Sequence, residues 1–379
     1  MVQILNKENC CGCEACVQIC PKQCIAFNED AHGFRYPKVD ESVCINCGLC
    51  EKVCPVLNQN QPQEPVKVYA AKNTDEQTRL NSSSGGIFNA LAEAVIEEGG
   101  VVFGAAFDKN WEVLHIGVQT KEDLIQLRGS KYVQSRIGDT FRQVKAFLNE
   151  GRKVLFSGTS CQIAGLNRFL VKEYADLITV EVVCHAAPSP AIWRAYLEKI
   201  EAENKDIKEI SFRDKSTGWK HYSFVARDSK GEIVHQDTHH LNLFMQMFLC
   251  DLSVRPSCFA CPAKEGKSGS DITLADYWNI EQHQTELNDD KGISLVLTNT
   301  AKGADFFGRL ELDKYESTYS TAVECNPCLV KTVRKNRQYE AYWTAFLSGG
   351  LAKARKEMLK LRPKLHKRVL ARIVRMLKK

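Results

Sequence analysis

A duplicated cysteine run near the start constrains this chain more than any other feature. Cys10-x2-Cys13-x2-Cys16-x3-Cys20-Pro21 recurs as Cys44-x2-Cys47-x2-Cys50-x3-Cys54-Pro55. Three thiols at successive two-residue gaps sit on loops short enough for their sulfurs to converge on one small object. The fourth donor comes from farther away, and in a two-cluster arrangement the last cysteine of each run serves the other cube. The spacing therefore predicts one 4Fe-4S site at Cys10, Cys13, Cys16 and Cys54, and a second at Cys44, Cys47, Cys50 and Cys20. Gly12 and Gly48 keep the loops small beside the sulfurs, and Pro21 and Pro55 fix the backbone after the fourth cysteine. Zinc takes four donors in a tetrahedron and has no use for such a doubled run. Cys24, beside Ile25 and Phe27, reads as a small core residue. Cys11 is left either exposed or as an alternative ligand.

The chain has 379 residues and 17 cysteines, ten of them within the first 54 positions. Clustered cysteines at this modest overall density point to metal or redox chemistry in a reducing compartment rather than to a disulfide scaffold. No apolar run approaches the roughly 18 residues of a membrane span, and no basic-then-apolar leader opens the chain. The expectation is a cytoplasmic protein. The net charge of +5 conceals a basic C-terminus: Leu351–Lys379 holds twelve Lys or Arg against Glu357 alone, so the remainder is mildly acidic. That balance argues against a nucleic-acid-binding surface.

The organisation predicted is a two-cluster domain over 1–57, a polar linker over 58–65, an α/β domain over 66–345 and a basic tail over 346–379. Val101–Phe107, Val154–Phe156, Ile178–Val183 and Ile293–Thr298 are short β-branched-rich runs suited to buried strands. Ile87, Phe88, Leu91, Val95 and Ile96 recur at helical spacing, as do Phe141, Val144 and Leu148. This alternation defines an α/β fold behind an α+β ferredoxin-like domain. Beyond Pro363, Leu365, Val369, Ile373 and Leu377 form the stripe of a basic amphipathic helix. Residues 364–379 would lie on the inner face of a membrane, dock on a partner, or rest on the body.

Four features of the larger domain carry chemistry. Asn81-Ser82-Ser83-Ser84-Gly85-Gly86 precedes a helix and suits a phosphate, or else is an ordinary capped loop. Val154–Phe156 runs into Ser157-Gly158-Thr159-Ser160-Cys161-Gln162, and ligands of α/β sheets sit at such strand ends. Ile178–Val183 runs into Cys184-His185. Cys258-x2-Cys261 calls for two further donors. Cys161 and Cys184 would close a third 4Fe-4S site; Cys325-x2-Cys328 would instead make a four-cysteine zinc site, at a separation much longer than that of a zinc ribbon. Absence of metal there is the third option. His235, His239 and His240 read as surface or core residues.

These segments resemble the beta subunits of hydrogenases and dehydrogenases that use the deazaflavin coenzyme factor-420, in the form with an N-terminal two-cluster ferredoxin domain. Plant hydroxymethyl-chlorophyll reductase is similar as well. The resemblance rests on Ser82–Phe88, Gly129–Ser135, Ser157–Gly165, Cys184-His185 with Pro188-Ser189-Pro190, Ser211–Lys220, Arg255–Pro262, Asp271–Trp278 and Gly292–Leu297. The family's turn usually carries proline where this chain has Ser160, and Gly-Val where it has Ala186-Ala187. The resemblance implies FAD besides the clusters, with Ser82, Ser83, Ser84, Gly85, Gly86, Ser130, Lys131, Gln134, Ser157, Gly158, Thr159 and Gln162 as its contacts. It also supports the cluster at Cys161, Cys184, Cys258 and Cys261.

The function expected is electron passage from ferredoxin or a similar low-potential donor, through the clusters, to FAD and a small organic acceptor. Bacterial relatives of this architecture are often associated with surface-polysaccharide biosynthesis. The alternative is an electron-transfer subunit of a larger redox complex. Lys131 is the candidate for contacting flavin or substrate charge and His185 for proton transfer, the competing reading for each being a structural role.

Overall fold

In the computed structural model, residues 1–361 are described except 4–5, 204–205 and 288. The predicted helix over 364–379 lies outside the described residues. Among those described, no helix is long and apolar enough to cross a membrane.

The N-terminal segment forms an antiparallel pair, β1 (Ile25–Glu29) and β2 (Arg35–Val39), between the short helices Ala15–Ile19 and Leu49–Lys52. The larger part contains β3 (Lys67–Asn73), β4 (Val101–Phe107), β5 (Val113–Val118), β6 (Val154–Thr159) and β7 (Leu177–Val182). These are followed by β8 (Glu209–Asp214), β9 (Ser223–Arg227), β10 (Ile233–Thr238), β11 (Ile272–Asp276), β12 (Ser294–Thr298) and β13 (Leu312–Ser317). Eight strands join in the order β13-β3-β12-β11-β7-β6-β4-β5, while β10-β9-β8 make a separate antiparallel sheet. The four central strands β11, β7, β6 and β4 are mutually parallel.

Parallel strands are buried on both faces, which explains their unbroken apolar runs. Val102 and Leu155 face one side and pack with Leu91, Ala92 and Val95 of the helix Ile87–Glu97. Val101, Phe103, Val154 and Phe156 face the other. They meet Phe141 and Val144 of the helix Thr140–Asn149, and Ile163 and Leu166 of the helix Ser160–Leu170. The second sheet builds an aromatic core from Trp193, Tyr196, Phe212, Phe224 and Phe244.

Two of the expected boundaries fall on ordered chain. Within 58–65, Asn60 Nδ2 donates to Lys267 O at 2.9 Å, and Gln63 N donates to Glu265 O at 3.0 Å. Gly266, at φ +71°, allows that approach: a Cβ there would meet Gln63 O at 2.3 Å. The 345/346 boundary falls inside the helix Tyr339–Leu359, which is broken at Gly349–Gly350. Trp343 before the break and Ala354 and Met358 after it are buried in the same core, so the first part of the basic segment packs on the body.

Candidate functional site

The two cysteine runs fold into unequal surroundings. Cys10, Cys13 and Cys16 are buried and Cys54 partly so. Burial pushes the Cys16 thiol up first, and the neighbouring Cys10 and Cys54 push it further. A desolvated thiol raised by its neighbours in this way suits a cationic iron cube, which offsets clustered thiolate charge. Gly12, at φ +76°, lets the loop close on the body: a Cβ would stand 2.6 Å from Gln134 Nε2 and 3.0 Å from the Arg255 guanidinium. Cys20, Cys44, Cys47 and Cys50 surround a separate space of about 20 Å3 with Cys24. Cys47 is exposed there, and nothing lies within 4 Å of where a Gly48 Cβ would be. Cys24 is buried with its Sγ 3.5 Å from that of Cys20.

A cavity of about 330 Å3 opens at the carboxyl ends of β6 and β7. Its position and size are those of a cofactor cleft in an α/β sheet. Cys161, Cys184, Cys258 and Cys261 all line it. The strands are parallel neighbours, with Thr159 opposite Val182, so the cysteines following them emerge at one end. Thr159 and Gln162 form a reciprocal cap that starts the helix carrying Cys161. Cys258 Sγ accepts from Ala187 N at 3.3 Å. Burial first, then the proximity of Cys258, pushes the Cys184 thiol well up. Among the described residues no three His, Cys, Asp or Glu groups converge tightly enough for one metal ion; a cube spreads its thiolates around a wider object. Of the rival pair, Cys325 is buried among Tyr277, Trp219 and Leu295, and Cys328 lies beside His185.

Ser82, Ser83, Ser84, Gly86, Ser130, Lys131, Gln134, Ser157, Gly158, Thr159 and Gln162 line the same cavity. Gly85 instead faces the sheet, its N–H donating to Ser294 Oγ at 3.0 Å. The serine hydroxyls shape the loop: Ser82 Oγ donates to Thr78 O, Ser84 Oγ to Ile293 O, and Ser83 Oγ receives Ser130 N at 2.8 Å. Lys131 Nζ donates to the carbonyls of Gln126, Arg128 and Gly129. Its three protons thus clasp its own loop, and burial lowers its pKa to about 7. His185 Nε2 meets Asp251 Oδ1 at 2.7 Å, and its Nδ1 lies 3.8 Å from Cys328 Sγ. Burial alone would lower its pKa, but Asp251 and Cys328 outweigh it and hold it at about 9. Both of its ring nitrogens are committed to protein partners.

Several residues in or beside the cavity were not singled out individually from the sequence. His115, on β5, is buried and stacks on Phe156; its ring nitrogens meet Ser157 O and Ser135 Oγ, each at 3.0 Å. Burial pushes its pKa down to about 4, so it is neutral near pH 7. Asp276 grips the buried Arg213 through both carboxylate oxygens, and Arg213 also donates to Ser83 O. Lys264 bridges the carbonyls of Cys184 and Cys328, each at 2.5 Å. Cys11 lines the cavity as well, and is buried. Their places depend on strand order and loop packing; the adjacency of Cys11 to Cys10 was visible but its surroundings were not.

The sequence of this chain matches known families. Residues 9–58 match the 4Fe-4S dicluster domain. Residues 68–140 and 151–321 match the N-terminal and C-terminal parts of the coenzyme F420 hydrogenase/dehydrogenase beta subunit. The chain belongs to the family of those beta subunits and carries a 4Fe-4S dicluster domain at its N-terminus. It is 29% identical over 176 residues to coenzyme F420-dependent sulfite reductase of Methanocaldococcus jannaschii, covering 44% of this chain and 26% of that protein. It is 25% identical over 175 residues to one of the subunits of the F(420)H(2) dehydrogenase of Methanosarcina mazei, covering 43% of this chain and 49% of that polypeptide. A 7Fe ferredoxin of Hydrogenibacillus schlegelii is 40% identical over 73 residues, which cover 18% of this chain and 87% of the ferredoxin. The chain thus spans about a quarter of the first relative and about half of the second.

Proposed function

We propose that this chain is an iron–sulfur flavoprotein oxidoreductase, accepting electrons singly from a ferredoxin-type donor and delivering them in pairs to an organic acceptor. The carrying observation is that one cavity gathers Cys161, Cys184, Cys258 and Cys261 with the 82–86, 128–135 and 157–162 loops, against the buried Cys10–Cys16 segment. When bound, the 4Fe-4S groups supply one-electron steps and FAD supplies the conversion to a two-electron step, which clusters cannot perform.

Exposed Cys47 marks the outer end of the relay and Cys13 the inner end. The four cavity cysteines would hold a third 4Fe-4S group. The Ser83, Ser84 and Gly86 backbone would receive the diphosphate of FAD, while Ser130, Gln134, Thr159 and Gln162 orient the rest. Lys131 and Arg213 hold the surrounding loops in place, and His185 keeps a proton on an imidazole braced by Asp251. Family membership and the relatives' names favour a deazaflavin as the organic partner; a surface-polysaccharide precursor is the competing class. A second reading, an electron-transfer subunit within a larger redox complex, is favoured by the likeness to one component of a dehydrogenase.

The test is anaerobic titration of the full chain with reduced ferredoxin, followed by identification of the flavin released on denaturation. Retained FAD that bleaches and then passes electrons to added deazaflavin is expected. Absence of FAD would overturn the reading, and turnover only with further subunits would establish the second one.

A further inference from the structure

Among the described residues three arginines are buried, and they are not equivalent. Arg79 pairs with Asp289 and Arg213 with Asp276. Arg255 is the most enclosed of the three, at 1% exposure, and has no carboxylate partner among the described residues. Its acceptors are all neutral: Nε donates to Cys10 O at 2.7 Å, Nη1 to Gln134 Oε1 at 3.0 Å and Nη2 to Arg35 O at 2.9 Å. The ring centroid of Tyr36 lies 4.3 Å from the guanidinium and that of Phe34 5.5 Å from it. A guanidinium keeps its proton in a protein, and a buried ion without an opposite charge is strongly destabilising. The position of this ion is specific. Nη1 would stand 3.0 Å from a Cβ at Gly12, so the guanidinium lies against the loop between Cys10 and Cys13. The main chain of the same residue faces the cavity: Cys258 N donates to Arg255 O at 3.0 Å, and Arg255 N donates to Ala187 O at 2.9 Å. Lys22 and Lys52, beside the second run, are exposed, where water and salt screen them.

We propose that Arg255 is the built-in counter-ion of the inner iron–sulfur site, where its fixed charge raises the reduction potential and draws electrons inward from the outer site. For Cys10, Cys13, Cys16 and Cys54 this needs only the dicluster segment; at Cys161, Cys184, Cys258 and Cys261 it rests on the third cluster proposed above. Four thiolates outweigh the positive charge of a 4Fe-4S cube, so the loaded site is anionic, and one further electron makes it more so. Net charge is among the factors that set cluster potential. A fixed cation in low-dielectric surroundings therefore favours the reduced form. Reduction adds one electron, taken from the ferredoxin-type donor, and moves no proton. Arg255 carries the same charge before and after.

The experiment is an EPR-monitored redox titration of the anaerobically loaded full chain, unsubstituted and as Arg255→Gln and Arg255→Lys, with the outer signal identified by its loss in Cys47→Ala. Arg255→Gln keeps a donor for Cys10 O and removes the charge. It should make the inner site about tenfold harder to reduce, ~59 mV for one electron, and leave the outer site where it was. Arg255→Lys should restore most of the shift. The shift should persist at high salt, since a buried charge is screened little. Where Arg255→Gln loses the inner iron, Arg255→Lys should keep it at the parent potential. Equal shifts in both variants, unmoved potentials, a shift common to inner and outer sites, or loss of the inner iron from Arg255→Lys would overturn the proposal. Two clusters whose inner potential still follows the charge at position 255 would remove the third cluster and leave the counter-ion; three clusters with unmoved potentials would remove the counter-ion alone.

Discussion

The two cysteine runs have the same spacing and opposite surroundings. In the first, every cysteine is buried, Arg255 and Gln134 grip the loop, and Glu14 accepts the N–H groups of Ile137 and Gly138. In the second, Cys47 is exposed, Cys44 is partly so, and Val43 and Ile45 stand in solvent at 46% and 58% exposure. Spacing alone specifies which cysteines can wrap a cube. The chain packed around the loop specifies which run is buried against the cleft and which is open to solvent.

Removing a ligand on each side is the strongest way to break that contrast. Cys13→Ala should lose about four irons and abolish flavin reduction by every donor. Cys47→Ala should lose as many, yet keep flavin reduction by a small chemical reductant while losing it with protein donors. Iron analysis and anaerobic absorbance check both, and equal loss with all donors would erase the distinction.

The loop contacts should differ in stability. Arg255→Ala leaves the carbonyls of Cys10 and Arg35 without their guanidinium donor and removes its contact with the Tyr36 ring at 4.3 Å. A loss of about 3 kcal/mol is expected from chemical denaturation. Lys52→Ala, on the exposed side of the second run, should change stability by at most about 0.5 kcal/mol.

His115 adds a pH dependence to the cavity wall. Its folded pKa of about 4 lies below the roughly 6.5 of an unfolded histidine. The unfolded chain therefore takes up the proton first as pH falls. His115 contributes its full stability above pH ~6.5, and up to about 3 kcal/mol is lost by pH ~4. His115→Gln should flatten the stability profile in that window, and an unchanged slope would contradict the assignment.

Much of this arrangement was legible in the sequence because it is local. The doubled cysteine run places its sulfurs by loop length, and the runs ending before Ser157 and Cys184 read as strands because buried parallel strands are apolar throughout. The different surroundings of Cys325 and Cys328 were not legible, since they depend on a helix that buries one thiol while the following turn carries the other toward His185. Nor was the place of Lys131: a lysine in a loop looks available to a ligand, yet three nearby carbonyls take its protons. His115, Asp276 and Lys264 reach the cleft only through strand order and loop packing, which a single sequence leaves open.

The most direct test of the account is the iron, sulfide and flavin content of an anaerobic preparation, measured beside Cys161→Ala. About twelve irons and one FAD per chain, falling to about eight irons in the variant, is the predicted result. About eight irons in both, or a colourless flavin-free protein, would contradict it.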